Sequence, residues 1–241
     1  QTDGANNTVL GYKALRNADN GESDNVVIGK EAGMNINHAS ADANVIIGSN
    51  AGTGGNGPLS GVVAIGANAM NSTDTNSLTG TIAVGYNCLT ALTSGAGSVG
   101  IGYQAGDAIT SGDYNTAIGY EALTAETTGD RNTAVGFRSL QSANGTNNAS
   151  NTAVGFESGN AISSGFHNVT IGAKAGNAIT TGDYNVMIGG ETDPSGNNGQ
   201  NQIAVGYGAT GTGDNEIALG NTSITAIKAQ VTSITAYSSD E

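Results

Sequence analysis

Tryptophan is absent from this 241-residue chain, proline occurs twice and cysteine once. A single Cys, Cys88, excludes an intrachain disulfide framework. Basic residues are scarce: seven Lys and Arg stand against twenty Asp and Glu, for a net charge of −13. A nucleic-acid surface would be basic, so that partner is excluded, and an anionic membrane surface is disfavoured for the same reason. No apolar run approaches the roughly 20 residues of a membrane span, so no membrane insertion is expected. Histidine occurs only as His38 and His167, which leaves little for acid–base or metal chemistry. The start, Gln1-Thr2-Asp3, lacks a Met and any signal pattern, and reads as interior to a longer chain.

Glycine is abundant, at 39 residues, but does not recur every third position, so the chain is not collagen. Charged residues are only 11%, and β-branched residues recur at fixed places. Both features set the chain apart from a disordered one.

The recurrence is the main signal. Asn115-Thr116-Ala117-Ile118-Gly119 opens a 17-residue unit, and Asn132-Thr133-Ala134-Val135-Gly136 opens the next. An apolar-Gly step occurs thirteen times, ending at Gly11, Gly29, Gly48, Gly66, Gly85, Gly102, Gly119, Gly136, Gly155, Gly172, Gly189, Gly206 and Gly220. Such a period means a stacked repeat, each unit leaning on its neighbours. The changes in spacing, mostly between 17 and 19 residues, belong in turns.

The residue before each Gly is Leu, Ile or Val, and two residues earlier sits another mostly β-branched one. These two share one face of a short strand, and that face is expected to point inward. The residue between them, such as Ala64, Ala117 or Ile46, is small or apolar. A solvent-facing strand would be polar there, so a second buried face is expected, against another chain. A small side chain follows three residues after every Gly, and Cys88 takes its place in that series as a packed thiol. Ser111-Gly112-Asp113, Thr128-Gly129-Asp130 and Thr181-Gly182-Asp183 are turn signals. Asp113, Asp130 and Asp183 read as turn residues rather than metal ligands, and no cofactor is implied.

The fold class expected is all-β: a repetitive parallel β-roll or β-helix solenoid, trimeric. Residues 1–220 form the array of thirteen coils, and residues 221–241 a β-rich neck without glycine after Gly220. Thirteen strands at about 4.8 Å span roughly 55–60 Å. Two sizeable inward side chains per coil make a thin core. Closure of three chains through the Ala-rich face would remedy that.

The unit N-[TV]-[AVT]-[IV]-G with a small residue following resembles the head repeats of trimeric autotransporter adhesins, which are left-handed parallel β-rolls of three chains. Those repeats are usually shorter, at a length matched here only by the step from Gly206 to Gly220. The chain is more similar to bacteriophage tail fibres and spikes, many of which carry such arrays before an endosialidase-type intramolecular chaperone. Asn215-Glu216-Ile217-Ala218-Leu219-Gly220-Asn221, Ile227-Lys228-Ala229-Gln230-Val231 and Ser239-Asp240-Glu241 resemble the lead-in to that chaperone. The family's Arg-Leu-Lys after the Ser-Asp bond has no counterpart here. The resemblance implies a homotrimeric viral tail-fibre shaft, extracellular on the virion, with a host glycan or protein as partner and autoproteolytic cleavage at Ser239-Asp240. The alternative is a trimeric adhesin head on a bacterial surface.

An enzyme is not expected. Ile118-Gly119-Tyr120-Glu121-Ala122-Leu123 also fits the hexapeptide of left-handed β-helix acyltransferases. Those repeat it three times per coil and use a positioned His, whereas here it appears once per coil. No Gly-x-Ser-x-Gly elbow, phosphate loop or Cys/His metal cluster is apparent. One ladder stands out: Tyr86, Tyr103, Tyr120, Phe137 and Phe156 follow the Gly in five successive coils. It is either a structural stack or a receptor-contacting stripe.

A thin trimer must align three distant chains before any coil buries its core, which is slow and prone to aggregation. A downstream trimerising chaperone would solve this, and its removal would make unfolding effectively irreversible. A longer precursor carrying Ser239→Ala is therefore expected to assemble uncut. Mass spectrometry showing an intact wild-type precursor, or a cut elsewhere, would sink the maturation site.

Overall fold

The computed structural model describes residues 4–18, 21–55, 57–73, 78–145 and 149–227. Among these there is no helix, and the chain is a parallel β-solenoid of about twelve turns. Thirteen strands of three residues each, from Thr8–Leu10 to Ile217–Leu219, form one parallel sheet in sequence order. Register is strict: Thr116, Ala117 and Ile118 pair with Thr133, Ala134 and Val135, which pair with Thr152, Ala153 and Val154. The remainder of each coil is turn. Among the described residues, the second extended stretch expected in every unit exists as strand in only two places, Leu59–Ser60 and Leu78–Thr79, which pair with each other.

The strand faces are inverted relative to expectation. From Val26–Ile28 to Ile203–Val205 the middle residue of the strand points into the coil: Val27, Ile46, Ala64, Ala117, Ala134 and Ala204 are fully buried. The flanking β-branched residues lie outside, half-buried or exposed. The cause is the width of the coil. Its interior already holds the small residue three after the Gly, together with large side chains from the turn, such as Leu89, Leu92, Ile109 and Leu123. Against them the strand centre is mostly small, as at Ala83, Gly100, Ala117 and Ala134, with Val27, Ile46 and Met187 as larger exceptions. At Gly100 a Cβ would come within 2.9 Å of Leu89 Cγ. Two β-branched side chains per strand have no room inside. The core is thus supplied largely by the turns, a source that strand periodicity does not reveal.

Where Asn precedes the strand, as at Asn25, Asn44, Asn115, Asn132, Asn151, Asn168 and Asn185, it too is internal. The Asn151 N–H donates to Asn132 Oδ1, Asn168 N–H to Asn151 Oδ1, and Asn185 N–H to Asn168 Oδ1, each at 3.0 Å. The Asn168 amide also donates across the coil to Gly182 O at 2.8 Å. These buried carboxamides satisfy the backbone where the strand begins, in a low-dielectric interior where an unmade bond is costly. Glu126 is fully buried in one coil and does a related task. Its Oε1 accepts from Thr127, Thr128 and Gly129 N–H, and its Oε2 from Gly145 N–H and the Asn132 amide. The repeat glycine closes each strand at positive φ, +138° for Gly119, where a Cβ would run into the carbonyl of Gly136 in the next coil.

Because Ala117 is inside its own coil, Ala117→Glu is expected to unfold the coil rather than to disrupt a contact between chains. A carboxylate buried there without a partner should cost roughly 3–5 kcal/mol. Thermal unfolding of the full chain checks this, and an unchanged melting temperature would return the residue to the surface.

Candidate interaction face

With the strand centres turned inward, the outer surface of the sheet becomes apolar. Four columns of side chains run along it. Two come from the strands, one from the residue after the repeat glycine, and one from the residue five before it. Nearly every large exposed hydrophobic side chain among the described residues belongs to these columns, including Ile101, Tyr114, Val154, Ile171, Tyr184 and Tyr207. The exceptions, Val9, Ile224 and Ile227, lie at the two ends of the array. The four columns carry only three formal charges, Asp24, Lys30 and Arg131. Their sum is +1, whereas the whole chain carries −13.

The aromatic ladder forms one margin of this face. Successive ring centroids from Tyr86 to Phe156 lie 5.5, 5.0, 5.3 and 5.2 Å apart, with interplanar angles of 12° or less. The separation follows the rise of one coil, so the stack is the aromatic image of the backbone register. The rings are 37–48% exposed, and what they expose is edge, because each inner ring has a neighbour on both faces. A sugar usually stacks on an open ring face, and only the outer faces of the terminal rings, Tyr86 and Phe156, lack a ring neighbour in this ladder. A polar strip borders the ladder. Glu121 Oε2 accepts from Arg138 Nε at 2.8 Å and from Gln141 Nε2 at 2.9 Å, and the Arg138 guanidinium sits 5.0 Å from the Phe137 ring centroid. A hydrogen bond to Glu121 pushes the Tyr120 phenol up from its ordinary value, and Glu191 does the same to Tyr207. Both phenols stay protonated at neutral pH.

The opposite margin has its own ring cluster. His167 stacks on Tyr184 at 5.4 Å and 10°, and Phe166 meets both edge-on. His167 is thus part of an aromatic margin, while His38 Nδ1 accepts from Ser40 N–H at 3.1 Å within a turn. Asp113, Asp130 and Asp183 accept backbone N–H groups of Ala96, Asp113 and Phe166 one coil earlier, at 2.8, 2.9 and 3.1 Å. Among the described residues no three of His, Cys, Asp or Glu gather to hold a metal ion. Burial pushes the Cys88 thiol up to about 12, so it remains protonated. Ser239 and Asp240, with the neck from Lys228 onward, lie outside the described residues.

Sequence reasoning found the aromatic ladder but missed the face it borders. Strand alternation alone places that face in the coil interior. The one sequence signal for it is the absence of charge from four columns of an otherwise acidic chain. The chain matches no protein-family pattern and no curated protein, so the geometry carries the functional argument.

Tyr120→Ala removes two ring stacks and is expected to lower stability by about 1–3 kcal/mol, while Tyr120→Phe should change it little. Thermal melts of both variants check this. An unchanged Tyr120→Ala would mean that the ladder has no structural role.

Proposed function

We propose that the chain is the structural shaft of a homotrimeric fibre of the phage tail-fibre kind, offered at the virion exterior towards a host surface. The single observation that carries this reading is the one-sided apolar face. It runs the length of the array, about 58 Å, and its three-residue strands alone are about 10 Å wide, so strands and flanking columns together present an area on the order of several hundred Å² per protomer. A standard interface buries about 800 Å² per partner. An apolar patch of this size marks an association surface. The rest of the surface is acidic, so two copies repel except where they meet through this face. A periodic partner with the same strand spacing matches a periodic face over its whole length, and a second and third copy of the same array supply that. Three chains, rather than another number, is the part that rests on resemblance to trimeric fibres.

In this reading the aromatic ladder belongs to the seam between chains. Its ring faces are already occupied, which favours a packing role over stacking on a host glycan. Sedimentation of the 241-residue chain is expected to give a species of three chains, and a compact monomer at native concentration overturns the shaft. Glycan-array and host-cell binding by the assembled chain then separates a receptor-contacting shaft from a spacer; a spacer shows no binding.

A further inference from the structure

The apolar face has a leading margin, five residues before each repeat glycine, and a trailing margin, one residue after it. A three-residue strand with one further residue at each end lies between them. In several coils, nonetheless, a large residue on one margin faces a small one on the other. Where the trailing margin carries Tyr86, the leading margin has Gly80, and Phe156 shares its coil with Ser150. Where the leading margin carries His167 and Tyr184, the trailing margin has Ala173 and Gly190. One pair is charged: Lys30, which also lies 3.6 Å from its own Glu31, shares a coil with Asp24, while Arg131 shares one with Phe137. At the central coil both margins carry tyrosine, Tyr114 and Tyr120.

Packing within one chain explains only part of the pattern: a Cβ at Gly97 would come within 3.0 Å of Tyr114 Cδ1 of the next coil. A Cβ at Gly80 would meet nothing within 4 Å. Its φ of +66° is shared in kind by Tyr114 at +58° and Tyr184 at +61°, so the column tolerates large residues. A head-to-tail ring of parallel arrays brings the trailing margin of one chain beside the leading margin of the next. Volumes then match, Lys30 meets a carboxylate, and the aliphatic stem of Arg131 lies along the edge of Phe137. A shift of one coil sets Lys30 against Ala43 or Asn6 and loses the charge pair.

We propose that in the assembled fibre the trailing margin of each chain packs in register against the leading margin of its neighbour, Tyr86 over the neighbour's Gly80, Phe137 against its Arg131 and Lys30 against its Asp24. The inference rests on the fibre reading and adds the polarity and register of the seam.

Disulfide trapping in the full chain tests it. Ser150→Cys with Phe156→Cys places the two thiols at one height across the seam. Ser150→Cys with Tyr86→Cys separates them by four coils, about 19 Å, beyond the roughly 7 Å Cα reach of a disulfide. The first pair is expected to link the chains into a covalent closed set and the second to leave them unlinked. A trimer by sedimentation that the first pair fails to link overturns the seam and leaves the fibre standing. A monomer overturns both. Linking by the displaced pair, or by Phe156→Cys alone, overturns the register. Should the cysteine variants fold poorly, charge exchange serves instead. Asp24→Lys and Lys30→Asp should each weaken assembly, and the double exchange should restore it. A double exchange no better than either single overturns the pairing.

Discussion

Coil-to-coil register is the constraint on which the rest of the structure depends. Each strand hydrogen-bonds to the strand one repeat earlier, and everything else in the coil is stacked by that spacing. The repeat glycines lie on one another, so no side chain can intrude between them. The Asn side chains pass a hydrogen bond from coil to coil inside. The Asp carboxylates do the same in the outer turns. The rings from Tyr86 to Phe156 stack at the same interval outside. Backbone, amide, carboxylate and aromatic ladders are four readings of a single translation. A residue inserted into a strand would break all four together, whereas one inserted into a turn breaks none, which is why the period varies only in the turns.

The same translation explains why an outer face can exist at all. A narrow coil cannot enclose two rows of β-branched side chains, so it ejects them. Its interior is filled by alanines, by small residues after the turn, and by Leu and Ile from the turns themselves. The ejected rows then form a flat, nearly uncharged surface along a molecule whose net charge is −13. Thin core and apolar exterior are consequences of one geometry, and both are relieved by association.

The aromatic ladder joins these two levels. Its stacking strengthens the stack of coils within a chain, and its exposed edges line the margin of the apolar face. In the proposed fibre a Tyr or Phe there would contribute to the fold and to the seam together.

Composition and period by themselves determined a stacked parallel β-solenoid, with its strands ending at the repeat glycines and its aspartates in turns. That much is local: a hydrophobic step, a glycine where the backbone must reach φ near +138°, and turn residues at a constant distance. Which side of the strand faces inward was decided only by tertiary structure. Val-Ala-Ile along a strand is apolar on both faces, so alternation carries no sign, and the choice falls to the volume left inside the coil by Leu89, Leu123 and their equivalents. The role of Asn was hidden for a related reason. An Asn before a strand looks like a turn residue, and only the closed coil places its carboxamide inside, opposite the carbonyl it bonds. Tyr86 to Phe156 could be read as a ladder from spacing alone, yet whether rings offer faces or edges depends on their angle to the array, which packing of one coil on the next sets.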